Sequence, residues 1–476
     1  MNLVLAIIRS KIMALLLGPS GVGLLGLYQS IADFGKTIAG MGINNSGVRQ
    51  IAEAAGSGDK FQIARTATAL RRVAILLGVL GALTLLALSF PIAKLSFRAG
   101  GHTGAVAALS LAVLFATVSS GQTALLQGLR QISYLVQSGL AGALGGLLLS
   151  LPIVYFLGEN GTQWVVVIVA GAALISSWGF SRRVRIERVS LGTAAVVEEI
   201  SALLKLGLVF MTSALVTTGV AYTVRTLIVR KFGESEAGFY QAAWAIGGYY
   251  VGFILGAMGS DFYPRLTAVA KNNATCNQLV NEQSEIGLLL AGPGILATLT
   301  FAPVVIQLFY SGRFGPAVEI LRWISLGMLL RVIGWPMGFI IVAKGAKGLF
   351  FASEMVNGVV QVSFVWLGLS LFGPRGAGIA FFASYLFYWF FVYGIVARLS
   401  GFGWSAVNKR IGATYAFFIA ALFVGWYWLP HWVIQVAGGL LTVLACVFSL
   451  RQICTLVPAE KLPQPLRKVA GFFARK

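Results

Sequence analysis

Apolar residues gather into fourteen long runs along this chain, and Lys and Arg crowd into every second gap between them. The runs cover residues 1–17, 23–43, 73–95, 104–127, 132–157, 162–180, 203–229, 237–260, 286–310, 318–343, 349–372, 376–399, 411–429 and 433–455. Most approach the ~20 apolar residues that carry a helix across a bilayer core, and they lack the alternation of barrel strands. Backbone polar groups find no water in hydrocarbon, so helices are the spanning elements. The pattern predicts an all-α polytopic membrane protein with fourteen spans.

The gaps set the orientation. The first gap, 18–22, holds no Lys or Arg, whereas the second holds Arg49, Lys60, Arg65, Arg71 and Arg72. Arg182, Arg183, Arg185 and Arg188, with Lys205 at the edge of the next run, are counted with the sixth. Lys409 and Arg410, with Arg398 at the edge of the run before, are counted with the twelfth, and further basic residues follow the last run. Positive charge stays inside, which places the even gaps and both termini in the cytoplasm. Composition agrees, with 58% hydrophobic residues, 11% charged residues and a mean hydropathy of +0.84. The net charge of +21 is spread over short loops. That spread favours topology over nucleic-acid binding and makes anionic membrane lipids the neighbours of those loops. The first run, at ~25 Å, falls short of a ~30 Å hydrocarbon core. Arg9 and Lys11 interrupt it and no small-residue cleavage site follows, which argues against a signal peptide. It predicts a tilted first helix, or one truncated by a start placed late.

The chain also repeats itself at an offset of about 215 residues. Gly18, Ser20 and Gly23 recur as Gly233, Ser235 and Gly238, and the stretch around Val48–Ala52 parallels Pro264–Ala268 with one residue added. QGLRQIS (127–133) resembles AKGAKGL (343–349). The repeat predicts a six-helix lobe over 1–190, a second over 191–400, and an extra helix pair with a basic cytoplasmic tail over 401–476. Both halves enter from the same side, so an axis along the membrane normal should relate them, with a cavity between. Small-xxx-small pairs such as Gly142/Gly146, Gly248/Gly252/Gly256 and Gly334/Gly338 suit close helix packing. Pro152, Pro303 and Pro336 fall within runs and can kink them. Gly21-Val22-Gly23-Leu24-Leu25-Gly26 fits GxGxxG but lacks the strand and the later acidic residue of a dinucleotide site, and reads as a tight turn. The sequons at Asn44, Asn160 and Asn273 carry no information, since two lie on the cytoplasmic side.

Cys276, Cys446 and Cys454 have no metal spacing, and His102 and His431 sit in different outer loops. Neither a metal site nor a cofactor is indicated, and no nucleophile–base pair suggests an enzyme. The informative residues are charges inside the runs. A cation near the bilayer centre costs at least ~2.5–3.5 kcal/mol and needs a partner or a polar cavity. Arg9 and Lys11 lie in run 1, Lys36 in run 2, Arg225 in run 7, and Arg322 and Arg331 in run 10, with Asp33, Glu319 and Glu354 as the acids. Removing the repeat offset from Arg225 gives position 10, between Arg9 and Lys11. The first helix of each half thus carries cations at the same depth, which predicts a cationic cleft with helices 1 and 7 facing across it. The Arg fork matches phosphate oxygens, so the cargo should bear phosphate or diphosphate. Asp33 and Lys36 share one helical face and could instead neutralise each other. Glu319 and Arg322 have the same spacing and read as a snorkelling pair. Glu354 is a candidate for ion coupling or for pairing with Arg331, and Asp33 is a second coupling candidate.

Several stretches resemble one family. Lys11, Gly18, Pro19, Gly21 and Gly23, then Gly42, Ile43, Val48 and Arg49, the SGRF turn (311–314), and IVAKGAKGLFFASEMVN (341–357) are similar to the Wzx-type O-antigen translocases. These are lipid-linked oligosaccharide flippases, of the polysaccharide transporter family in the multidrug/oligosaccharidyl-lipid/polysaccharide flippase superfamily. The resemblance covers about residues 1–400. It implies a V-shaped pair of six-helix lobes that alternate between inward and outward openings in the bacterial inner membrane. The implied cargo is an undecaprenyl-diphosphate-linked glycan, with a polysaccharide polymerase and chain-length proteins as further partners. Arg9, Lys11, Lys36, Arg225 and Arg331 would line its diphosphate/glycan cavity. Many members stop after twelve spans. The lipid II flippases of the superfamily carry extra terminal spans that form a groove for the lipid tail, and a lipid II flippase is the alternative reading. A multidrug exporter of the same fold is a third, disfavoured because buried bases outnumber buried acids.

Overall fold

The computed structural model describes residues 2–98, 100–186 and 193–456. Arg188, in the sixth gap, and the basic tail from 457 onward lie outside the described residues. The described residues form sixteen α-helices. These are α1 (Asn2–Gly40), α2 (Ile43–Ser57), α3 (Lys60–Ala87), α4 (Ser89–Ser96), α5 (Thr103–Gly128), α6 (Ile132–Leu157), α7 (Thr162–Arg183) and α8 (Thr193–Phe232). Then follow α9 (Glu234–Ala268), α10 (Asn273–Thr300), α11 (Ala302–Phe309), α12 (Ala317–Ala343), α13 (Lys347–Phe372), α14 (Gly376–Ser400), α15 (Ala406–Trp428) and α16 (His431–Leu456). Nine segments among the described residues are long and apolar enough to cross a membrane, with α10 and α11, bent by 86°, as a tenth. Three of the nine divide further, at Gly18 and at the 3-10 turns 158–161 and 373–375. With α9, these elements accommodate the fourteen runs.

The gap 18–22 is tighter than the hydropathy pattern suggests. Helix resumes at Pro19, and Gly18 alone breaks it, at φ 67° and ψ −170°. Pro suits the first position of a helix, and Gly18 supplies the positive φ that turns the chain. Gly233, its repeat equivalent, has φ 95° between α8 and α9. The two arms of α1 are therefore the counterparts of α8 and α9. The second gap is also mostly helical. In α2 the buried residues Ile43, Ser46, Gly47, Ile51 and Ala54 recur at helical spacing. The Asp59 carboxylate then caps α3, accepting from the amides of Phe61 (2.8 Å) and Gln62 (3.3 Å).

Two compact units result, Met1–Gln241 with Phe309–Arg313, and Ala242–Leu308 with Phe314–Lys476. In the first, α5 packs on α1, α2, α3 and α7, and α6 packs on α7. The repeat glycines meet within this unit. A Cβ on Gly23 would lie 1.9 Å from the Glu234 carbonyl oxygen, and one on Gly238 would lie 1.9 Å from that of Pro19. Pro19 and Glu234 are themselves one offset apart, so the contact is reciprocal, as across a two-fold axis. Gly26 and Gln241, again one offset apart, also touch.

In the second unit, α12 packs on α10 and α14, and α13 lies on α14. Its core includes Phe262, Cys276, Val280, Met337, Val392 and Phe402. The Lys344 ammonium donates to the Ala270 carbonyl (3.0 Å) and Asn273 Oδ1 (2.5 Å), tying the end of α12 to the turn before α10. Helices α15 and α16 rest on α10, where Gly292 admits the Tyr415 ring and Gly438 admits Thr300.

Candidate functional site

Three helical stripes of small and polar residues enclose a cavity of about 580 Å³ in the first unit. Asp33, Lys36, Thr37 and Gly40 recur at helical spacing on α1, as do Thr117, Ser120 and Thr123 on α5 and Met211, Ala214 and Thr218 on α8. Asn44 and Asn45 at the start of α2 add two amides. The Asp33 carboxylate accepts from Gln29 Nε2 (3.1 Å), and its backbone carbonyl accepts from the Thr37 hydroxyl (2.8 Å). Asn44 Nδ2 donates to the Ser120 carbonyl (3.1 Å). Thr117 Oγ1 is buried and has no hydrogen-bond partner. A polar wall with spare donors and acceptors inside apolar helices suits a hydrated or polar ligand and makes a poor packing surface.

Arg225, on α8, is not among the residues that line this cavity. Its Nε donates to Gln241 Oε1 (2.9 Å) and its Nη1 to the Ala221 carbonyl (3.0 Å), so the guanidinium is held where α8 meets the start of α9. Asp33 and Lys36 are thus brought together on the cavity wall, and Arg225, expected to line it with them, does not. Asp33 and Lys36 both face the cavity, and Asp33 takes its hydrogen bond from Gln29, so the two are more than a neutralised surface pair. Arg9 and Lys11 lie on the first arm of α1, before the Gly18 break, and neither lines this cavity.

Arg331 and Glu354 belong to the second unit. Arg331 sits 6.0 Å from the Tyr385 ring centroid, and Tyr388, whose ring is 6.2 Å from that of Tyr385, donates to Glu354 Oε1 (3.5 Å). Tyrosines therefore stand between them, and no direct Arg331–Glu354 ion pair forms among the described residues. Glu319 pairs with Arg375 (3.3 Å), while Arg322 stacks 3.9 Å over the Trp426 ring. The expected Glu319–Arg322 pair is replaced by contacts with residues distant in sequence.

A second polar cluster lies at the Gly18 end of the first unit. His102 shares a hydrogen bond with the Tyr28 hydroxyl (2.8 Å), stacks on Phe97 (3.9 Å) and lies 3.6 Å from Glu234. Ser20 bonds to Glu159, and Arg313 of the SGRF turn lies beside Gly18. Glu234 precedes the apolar run 237–260. Its carboxyl is held above the usual range, chiefly by burial and further by Glu159, with His102 acting in the opposite sense.

Sequence reasoning missed Asn44, Asn45, Ser119, Ser120 and Thr123. The doublets Asn44-Asn45, just past the run 23–43, and Ser119-Ser120, inside the run 104–127, were the available signal.

A sequence profile described as polysaccharide biosynthesis protein matches residues 12–319. The chain belongs to that family. It is 23% identical over 394 residues to the lipid III flippase of Escherichia coli strain K12, covering 81% of this chain and 92% of that protein, and to the same extent to the lipid III flippase of Shigella flexneri. Among solved structures, an inward-facing multidrug resistance MATE family transporter of the MOP superfamily superposes with a TM-score of 0.68 at 18% identity, over 84% of this chain and 95% of that one. The lipid II flippase MurJ in an inward closed conformation gives 0.67 at 11% identity, over 96% and 98%. This polysaccharide biosynthesis family member therefore has the all-helical fold of the MOP-superfamily transporters.

Proposed function

We propose that the protein is a lipid-linked glycan flippase, moving an undecaprenyl-diphosphate-linked oligosaccharide from the cytoplasmic to the periplasmic leaflet by alternating access. The cargo would be a repeat unit of an O-antigen, a common antigen or an exopolysaccharide. The observation that carries the reading is the polar cavity with Asp33 and Lys36 on its wall, within the residues that match the family. Lys36 supplies charge for a diphosphate, and the amides and hydroxyls of α2 and α5 supply partners for sugars. Arg9, Lys11, Arg225 and Arg331 are further cations for the cargo's path, and Asp33 and Glu354 are the groups for ion coupling. Moving a diphosphate and sugars through bare hydrocarbon is prohibitive, because each unpaired polar group costs several kcal/mol. The flippase relatives point to transport rather than catalysis.

The proposed working parts are the repeat halves 1–190 and 191–400, with 401–476 as an appended pair and tail. The charge pattern supports both termini in the cytoplasm of a bacterium, with the protein in its inner membrane. A polysaccharide polymerase and chain-length proteins are its proposed partners. A lipid II cargo is the second reading, favoured by the MurJ superposition over 96% of this chain, which reaches past residue 400. A deletion strain separates them. Loss of surface polysaccharide with its lipid-linked unit accumulating on the cytoplasmic side supports the first reading. Lysis with lipid II accumulation supports the second, and neither phenotype refutes both.

A further inference from the structure

The second unit gathers its odd-numbered gaps at one end. Glu319 stands just after the ninth gap, Arg375 in the eleventh and Tyr427 just before the thirteenth. Glu319 pairs with Arg375 (3.3 Å) and accepts from the Tyr427 hydroxyl (3.4 Å). Positions up to 108 residues apart therefore meet at one carboxylate. The charge pattern along the chain makes this the periplasmic end.

Arg322, one turn further along α12, is left out of that arrangement. Its guanidinium carbon lies 3.9 Å from the centroid of the buried Trp426 ring. That ring is pinned, since its Nε1 donates to the Leu299 carbonyl (3.1 Å). The indole face attracts the cation but accepts none of the hydrogen bonds that the fork offers in its own plane. No hydrogen bond or ion pair holds Arg322 among the described residues, and its Nε is shut away from solvent without a partner. The nearest acid in sequence, Glu319, is committed to Arg375 and Tyr427. Two guanidiniums thus share one carboxylate, and the one oriented by the ring lacks an acceptor.

We propose that Arg322, joined by Arg375, holds the phosphate of a lipid in the periplasmic leaflet. A planar fork with several unused donors matches phosphate oxygens, and a single anion would take up the charge that Glu319 leaves uncompensated. The surroundings set the depth. Tyr427, Trp428 and Trp432, the sequence neighbours of Trp426 and His431, are exposed, as suits rings that sit at the level of lipid headgroups. Beyond them α15 exposes Val424 and Phe417, and α16 exposes Val436 and Leu440, which is hydrocarbon surface for a tail. A dissolved phosphate ion would have no use for that flank. The phosphate belongs either to a bilayer phospholipid or to a translocated diphosphate lipid, and the site stands without the flippase reading. Once bound, it ties α12 to the turn between α13 and α14 through Arg375, in competition with Glu319.

The test titrates the full-length protein, delipidated in a neutral detergent, with dioctanoyl phosphatidylglycerol, farnesyl diphosphate, dioctanoylglycerol and inorganic phosphate. At least one of the two phosphate lipids should bind saturably, and dioctanoylglycerol and inorganic phosphate should bind at least about tenfold more weakly. Arg322→Gln should weaken the lipid at least about tenfold, the loss expected for one charge-assisted hydrogen bond, and Arg322→Lys should restore part of it. Glu319→Gln releases Arg375 and should tighten binding several-fold, a gain that misfolding cannot imitate. Unchanged binding in Arg322→Gln, weaker binding in Glu319→Gln, or inorganic phosphate binding as tightly as the lipids each overturns the assignment. The lipid that responds to Arg322 identifies the source, phosphatidylglycerol for the bilayer and farnesyl diphosphate for a translocated cargo. Farnesyl diphosphate binding that is lost with Lys36→Gln but kept with Arg322→Gln belongs to the cavity of the first unit. With phosphatidylglycerol unbound, that result rejects the outer site and leaves the flippase reading standing.

Discussion

Arg225 illustrates how a charge in an apolar helix is made tolerable, and the proposed flippase reading also gives it a use. Gln241 and the Ala221 carbonyl take two of its donors. Arg225→Ala should abolish export while leaving membrane insertion intact, since losing charge-assisted contacts of ~1.5–3 kcal/mol weakens cargo binding about tenfold to a hundredfold. Arg225→Lys should retain part of the activity, with charge kept and the fork lost. Surface polysaccharide at native expression levels is the readout, and wild-type amounts from the Ala strain would refute the role. Glu234 gives a separate pH signature. Its carboxyl holds its proton more tightly in the folded protein than an ordinary Glu does, mainly through burial, with Glu159 adding to the effect and His102 opposing it. The linked stability is therefore present below the ordinary Glu range and is lost as pH rises through the raised pKa. Melting curves of the purified protein from acid to neutral pH should show that loss, and Glu234→Gln should remove it. Two superimposable profiles would contradict the assignment.

At the scale of the element, the helices were legible wherever the bilayer dictates composition, because a spanning helix has few alternatives to being apolar. What escaped was set by partners distant in sequence. The Glu319–Arg375 pair spans 56 positions and the Arg322–Trp426 stack more, so neighbours in the sequence pointed to the wrong mate. The cavity was half legible. Asp33 and Lys36 stand out as charges, but Thr37, Ser120 and Thr123 look like ordinary packing residues until α1, α5 and α8 are placed together. Helix contacts make their own prediction. Gly23→Val should cost about 3 kcal/mol or more, because its side chain would overlap the Glu234 backbone. Gly56→Ala, with open space around it in α2, should stabilise by ~0.4–1 kcal/mol. Denaturant midpoints of the two purified variants check both, and a stable Gly23→Val protein would mean that α1 and α9 can separate.

For the molecule as a whole, orientation governs the proposed transport, because the cargo loads from the cytoplasmic face. An alkaline phosphatase fused after Lys476 should be inactive and a cytoplasmic reporter at the same place active; the reverse would invert the assignment. The reciprocal packing of Gly23 and Gly238 reaches further. Surfaces that meet their own sequence equivalents are what two identical subunits bury on assembly. The chain thus holds, inside one polypeptide, a contact with the reciprocity of a dimer interface, and a peptide link between the proposed halves would keep its two sides at high effective concentration. A chain cut after Arg183 and made as two polypeptides should then reassemble in the membrane and be recovered as a pair. With Gly238→Val in the second piece, the partners should part.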